Sequence, residues 1–176
     1  MALVGVISDT HGALHSGAYA ALADCDYIIH AGDICDPGIL RELETLAPVY
    51  AVLGNNDYAE YGDQVQRFAH PVIEGVKFLV AHFPHDVSMR GAGCPGLAPG
   101  DPIPDVCIHG HTHIPRLEFG AQARPGSYVV NPGSATRPRG GYQRSIAKIG
   151  LADSHVKFIR IETLKGKKIM ALNAMA

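Results

Sequence analysis

Three short segments, "SDTHG", "AGDI" and "GNND", each follow an apolar run and each deliver hard donors: Asp9 and His11, then Asp33, then Asn55, Asn56 and Asp57. Two later apolar runs end the same way, "VKFLVAHF" at His82 and "DVCIHGHTH" at His111 and His113. Carboxylates and imidazoles together suit divalent ions such as Mn, Fe, Zn, Ni or Mg. A thiolate site is not indicated, because Cys25, Cys35, Cys94 and Cys107 show no C-x-x-C spacing and read as reduced, unpaired thiols. Asp9 and His11 are two residues apart, as are His111 and His113. In extended backbone that spacing puts both side chains on one side, so each pair should aim at one point or at two neighbouring points. Gly32, Gly54 and Gly110 precede the donors, where a missing Cβ permits a sharp turn or a close approach. Asp9, His11, Asp33, Asn55, His82, His111 and His113 make seven donors, more than one tetrahedral ion takes. If Asp33 bridges through its two oxygens, they can divide into Asp9, His11, Asp33 and His113 around one ion and Asp33, Asn55, His82 and His111 around another. Paired ions about 3.5–4 Å apart serve phosphoester chemistry.

Elements must bring these segments together. "LVGVIS" (3–8), "DYIIHAG" (26–32) and "VYAVLG" (49–54) are short β-branched runs, as expected of parallel strands buried on both faces. Between them, residues 13–23 are Ala-rich, and "GILRELETLA" (38–47) follows Asp36-Pro37, an N-cap and first-turn pair. The result is β-α-β-α-β with right-handed crossovers, and ligands gather beyond the carboxyl ends of such strands. "HPVIEGVKFLVAHF" (70–83) predicts a hairpin turning at Glu74-Gly75. Residues 84–104, rich in Pro and Gly, read as an irregular loop, and a loop of that length is usually functional or mobile. "DVCIHG", "RLEFG", "YVVN", "RSIAKIGL" and "HVKFIRIE" predict a largely β second half, with no repeat and no domain boundary. A single domain over 1–176 is expected.

Composition narrows the function classes. With 47% hydrophobic and 18% charged residues and a net charge of −2, the 176-residue chain has the makings of a packed core and no basic footprint, so nucleic acid is not expected as a stable partner. No apolar run reaches the roughly 18 residues a membrane span needs. The N-terminus lacks the pattern of a signal peptide, which places the protein in the cytoplasm. Lys165, Lys167 and Lys168 read as a solvated tail. Ten histidines against no Trp suggest that imidazole is in use.

In "DTH", "GDI", "GNND", "VAH" and "GHTH", running from residue 9 to residue 113, with "NPGS" (131–134) beyond them, the chain resembles the calcineurin-like metallophosphoesterases, and among them the small single-domain bacterial and archaeal phosphodiesterases. The resemblance implies an α/β fold, a four-layer α/β/β/α sandwich of two mixed sheets flanked by helices. It assigns the two donor sets named above to two metal ions, manganese foremost, and gives catalytic weight to Asp33, Asn55 and His82. It further implies hydrolysis of a small phosphodiester by a metal-bridging hydroxide, and it is compatible with a homo-oligomer. In many relatives the residue between Asn and Asp of the GN-x-D motif is a His that protonates the leaving oxygen. Here it is Asn56, and an amide is no general acid near neutral pH. Residues 84–104 also depart from relatives that carry a helix there, which bears on pocket shape. The same fold serves assembly in the small retromer subunit, so a metal-binding scaffold or protein-interaction module is the alternative.

The remaining candidates are weaker. Asn56, His85 and Arg137 are candidate substrate contacts, His85 as a replacement acid and Arg137, with Arg139, as a guanidinium fork for phosphate. His109 and His30 suit packing or hydrogen bonds that orient a ligand. His15, His70 and His155 read as bystanders, and Cys35 as a packed thiol.

Overall fold

In the computed structural model, which describes residues 1–58, 61–89, 93–121 and 124–174, two mixed β-sheets pack face to face. The strands are β1 (Ala2–Ile7), β2 (Tyr27–His30), β3 (Val49–Ala51), β4 (Phe68–Ala69), β5 (Val72–Ile73), β6 (Val76–Ala81), β7 (Val106–Ile108), β8 (Arg116–Ala121), β9 (Arg124–Asn131), β10 (Ser145–Ala152), β11 (His155–Thr163) and β12 (Lys168–Asn173). The first sheet has the order β12-β11-β10-β1-β2-β3, with β1, β2 and β3 parallel. The second has the order β4-β6-β7-β9-β8, with β6, β7 and β9 parallel and β5 paired to β6 at one edge. The parallel strands of both sheets carry the candidate donors just past their carboxyl ends.

Alternation along each strand sorts the apolar residues into layers. Val4, Val6, Ile29, Val80, Ile108, Val130, Ala147 and Ile149 fill the space between the sheets. Ile7 and Ile28 face the other way, against Ala18 and Leu22 of helix α1 (Ser16–Leu22) and Ile39, Leu40 and Leu43 of helix α2 (Pro37–Glu44). Helix α2 begins as the sequence predicts: Asp36 accepts a hydrogen bond from Gly38 N at 2.7 Å, and Pro37 occupies the first turn. Helix α1 is shorter than the Ala-rich run. His15, read as a bystander, is its N-cap, accepting from Gly17 N at 3.0 Å through Nδ1.

The two sheets are flanked differently. Both helices lie on the first sheet, while the outer face of the second, with Leu79, Ala81, Cys107 and Val129, packs against Val87, Cys94 and Leu97 from the Pro/Gly-rich segment. That segment opens with a single 3-10 turn (Pro84–Val87) and is otherwise irregular among its described residues; Arg90, Gly91 and Ala92 lie outside them. Cys25, Cys94 and Cys107 are buried, and Cys94 Sγ donates to the Asp86 carbonyl at 3.1 Å. No helix among the described residues is long and apolar enough to cross a membrane.

One expectation fails. The lysines read as a tail lead into a strand: Lys168 begins β12, which pairs antiparallel with β11 after a turn at Gly166. The charge cluster hid a short hairpin whose exposed face it solvates.

Candidate metal centre

All seven candidate donors converge at one end of the sandwich. Asp9, His11, Asp33 and His113 each place a ligand atom within 4.8 Å of the others. His113 Nε2 is 3.1 Å from Asp9 Oδ1 and 3.2 Å from His11 Nε2, and His11 Nε2 is 3.8 Å from Asp33 Oδ2. Beside this group stands a second. Asn55 Oδ1 lies 3.2 Å from His82 Nε2 and 3.0 Å from His111 Nδ1, and His82 Nε2 lies 3.5 Å from Asp33 Oδ1. Asp33 thus turns one carboxylate oxygen toward each group.

The means of convergence differs from the one the spacing suggested. Asp9, His11, Asp33, His111 and His113 all lie beyond their strand ends with φ of 54°, 47°, 54°, 68° and 59°. Left-handed backbone of this kind is tolerated by Asp, Asn and His better than by branched residues. Extended backbone does not pair Asp9 with His11, or His111 with His113; consecutive tight turns do. Backbone hydrogen bonds stitch the turns together: Asp9 N donates to Gly32 O at 3.0 Å, His11 N to Asp33 O at 2.9 Å, and Gly110 N to His82 O at 3.0 Å. The glycines act as expected: Gly32 has a φ of 91°, and a Cβ there would stand 2.7 Å from His82 Nδ1 and 2.9 Å from Gly54 N. A Cβ on Gly110 would overlap Ser8 Oγ and stand 2.8 Å from Asp9 Oδ2, and one on Gly54 would overlap the Asp33 backbone and carboxylate.

Hydrogen bonds select the ring nitrogens that face the centre. A carbonyl only accepts, so His113 Nδ1–H donates to Arg137 O at 2.6 Å and His82 Nδ1–H donates to Ala31 O at 2.8 Å, leaving each Nε2 with a lone pair toward the cluster. His30 is wholly buried beneath; its Nδ1 accepts from Gly32 N at 3.2 Å, so Nε2–H donates to Thr10 Oγ1 at 3.0 Å, holding the residue between Asp9 and His11. Burial pushes the His30 imidazole down to about 4. Burial alone would raise the Asp33 carboxyl, but the neighbouring His82 imidazole and hydrogen bonds from the Asn56 backbone and side chain outweigh it and hold the group well below the usual carboxylate range. The Asp9 carboxylate beside His113 raises that imidazole, whereas burial lowers His11 and His111.

The donor set fits a divalent cation. Asp9 is fully buried; its Oδ2 accepts from Ser8 Oγ at 2.6 Å and His111 N at 3.2 Å, but Oδ1 makes no hydrogen bond of acceptable geometry and faces His113 and His11. A buried carboxylate oxygen left this way is costly unless a charge meets it.

The three candidate substrate contacts are placed differently. The Asn56 side chain donates to Asp33 Oδ2 at 2.7 Å and its backbone N to Oδ1 at 2.9 Å, so it grips the carboxylate shared by both groups. Arg137 is exposed, and it is its carbonyl that orients His113. His85 is half-buried on the 3-10 turn, stacked on Phe83. Cys35 packs near the Asn56 carbonyl, and His109 is buried against Gly110 O and Asn131. Sequence reasoning missed the residues that hold the loops. Asp57 accepts from the backbone N of Ile34, Cys35 and Gly54, and Ser134 and Thr136 donate to Asp9 O at 2.8 and 2.9 Å. The signal was present: Asp57 closes "GNND", and Ser134 ends "NPGS".

Comparison with known proteins gives the family and the fold. Residues 2–154 match the calcineurin-like phosphoesterase superfamily domain. A probable metallophosphoesterase of Methanothermobacter thermautotrophicus is 36% identical over 178 residues, covering 96% of this chain and 90% of the relative. Among solved structures, the phosphoesterase YfcE of E. coli superposes with a TM-score of 0.71 at 20% identity, over 97% of this chain and 98% of that one. Vps29 of Entamoeba histolytica, solved in complex with Zn2+, superposes with a TM-score of 0.70 at 24% identity, over 97% and 98%. At these identities the two structures speak to the fold alone.

Proposed function

The chain belongs to the calcineurin-like phosphoesterase superfamily, and on that premise we propose that residues 1–176 form a single domain that hydrolyses small phosphodiesters at a centre of two divalent cations, manganese foremost. Asp9, His11, Asp33 and His113 would hold one cation, and Asp33, Asn55, His82 and His111 the other. The observation that carries this reading is the orientation of Asp33, whose Oδ2 lies 3.8 Å from His11 Nε2 while Oδ1 lies 3.5 Å from His82 Nε2. Cations bound there supply Lewis acidity, neutralising phosphoryl oxygens and lowering the pKa of water.

The protein's own groups do the positioning. The Arg137 and Ala31 carbonyls hold the rings of His113 and His82 with Nε2 inward. Asn56 fixes the angle of the Asp33 carboxylate through two hydrogen bonds. No imidazole stands at position 56 to protonate a departing alkoxide. Substrates whose leaving group departs as a stable anion are therefore favoured.

The test is direct. Protein loaded with Mn should cleave bis(4-nitrophenyl) phosphate and hold two ions per chain by elemental analysis, and Asp33→Ala should lose both properties. Equal rates in the variant would reject the assignment. An interaction module on the same fold predicts no turnover at any metal load.

A further inference from the structure

Past His82 the chain does not leave the site at once. Phe83 lies with its ring centroid 4.8 Å from that of His111 and 5.3 Å from that of His82, and His85 stacks on Phe83 at 5.2 Å with 27° between the planes. The three rings, His111, Phe83 and His85, step outward from the second donor group. His85 is an unusual surface histidine. Its side chain is 44% exposed, yet Nε2 sits 3.3 Å from Oδ1 of Asp86, a fully buried carboxylate that Arg67 grips at 2.9–3.1 Å through Nε and Nη2. Burying a carboxylate is costly unless it is paired. Here the buried Asp86 and its Arg67 fix the plane of a ring whose outer face stays open, next to a candidate ligand.

We infer that Phe83 and His85 form a stacking platform that selects phosphodiesters with a nucleoside on one ester oxygen over those with a small alkyl group. The inference rests on the phosphodiesterase reading and gives its substrate a class. The rings follow one another at 4.8 Å from His111 to Phe83 and 5.2 Å from Phe83 to His85, so a base attached to a phosphate held at the donor cluster would meet an aromatic face beside the second donor group. Every base offers a π-face, so stacking on aromatic side chains attracts nucleosides with little regard to which base they carry. His85 is a specificity residue in this account. Its proton has no part in it.

Two substrates that share a leaving group make the test: thymidine 5′-(4-nitrophenyl phosphate) and methyl 4-nitrophenyl phosphate, assayed on Mn-loaded protein. The ratio of their kcat/KM values should favour the nucleoside about tenfold, the size of one base–aromatic stack. His85→Ala should collapse that ratio toward one, and His85→Tyr, which keeps a flat ring without an imidazole, should preserve it. Calorimetry supplies a readout apart from turnover: thymidine 5′-monophosphate should bind the wild type about tenfold more tightly than deoxyribose 5-phosphate, and His85→Ala should remove the difference. An unchanged ratio in His85→Ala overturns the platform. Loss in His85→Tyr equal to that in His85→Ala also overturns it, since the imidazole itself, as proton donor or hydrogen-bond partner, would then be what matters. Were neither substrate cleaved, the phosphodiesterase reading would fall, while the platform would still stand or fall by the calorimetric comparison.

Discussion

Asp57 is the side chain whose removal should do most to disassemble the site without touching a candidate donor. Its carboxylate accepts from Cys35 N and Gly54 N at 2.8 Å each, from Tyr61 Oη at 2.9 Å and from Ile34 N at 3.2 Å. These bonds tie the loop after β2, which carries Asp33, to the loop after β3, which carries Asn55. In Asp57→Ala the N–H of Ile34, a fully buried residue, is stranded, and those of Cys35 and Gly54 depend on whatever water reaches them. With about 1–2 kcal/mol for the stranded Ile34 N–H and about 1 kcal/mol for each of the three other hydrogen bonds lost, from Cys35 N, Gly54 N and Tyr61 Oη, the loss comes to about 4 kcal/mol. Asp57→Asn keeps one acceptor oxygen and should lose about half of that. With a urea slope of about 2 kcal/mol per molar, the midpoint for Ala should fall by about 2 M and for Asn by about 1 M. Metal content should fall in the same order, because Asp33 and Asn55 lose their common anchor. A midpoint shift below about 0.5 M in Asp57→Ala, with metal content intact, would refute the idea that this carboxylate sets the relation of the two loops.

Three further outcomes follow from the same geometry. Chelating the metal from loaded protein should lower the melting temperature, since an ion held at a hundred times its Kd contributes about 2.7 kcal/mol; Asp33→Ala should show no such response, and a response equal to wild type would count against Asp33. The His30 imidazole, at about 4 when folded against an ordinary 6.5, refuses a proton that the unfolded chain accepts. Its contribution is therefore complete above pH 6.5 and is lost as the pH falls toward 4, by about 3 kcal/mol over that window. His30→Gln should flatten the slope of stability against pH between those values, and an unchanged slope would reject the assignment. If a proton donor is what monoester hydrolysis lacks, Asn56→His should raise phosphomonoester turnover even though it gives up the Asn56 side-chain bond to Asp33 Oδ2; no gain would mean that the pocket decides ester preference.

The parallel strands were legible in sequence because both of their faces are buried, so β1 and β2 read as unbroken apolar runs. The chemistry of the site was legible for a related reason: each such run stops at a donor, and the types Asp, Asn and His narrow the ion. The edges were not. Strand β12 alternates weakly and has no fully buried residue, so Lys165, Lys167 and Lys168 outweighed it, although Gly166 between two potential strands was a hairpin signal. Helix α1 begins later than its Ala-rich run because His15 caps it, a role that composition does not reveal. Asp57 was ambiguous in kind. A carboxylate next to Asn55 can face a cation or a set of backbone N–H groups, and only the path of the neighbouring loop decides which.

What sequence could not supply is the sign of φ. Five of the donors sit in left-handed backbone, at about 1 kcal/mol or more each, and Asp9 Oδ1 is buried without a hydrogen bond. A fold stabilised only by its own contacts would have little reason to gather such residues in one place. The costs are held locally by the ladder Asp9 N to Gly32 O, His11 N to Asp33 O and Gly12 N to Ile34 O, and by Ser134 and Thr136 on the Asp9 carbonyl. Those bonds satisfy the backbone, but none of them reaches Asp9 Oδ1 or the inward lone pairs of His82 and His113. A cation would meet these groups at once and offset the strain that brings them together. On this argument cation binding and folding stability are coupled through the same few residues. Relaxing one of the left-handed turns should therefore weaken metal affinity even where no donor atom is removed.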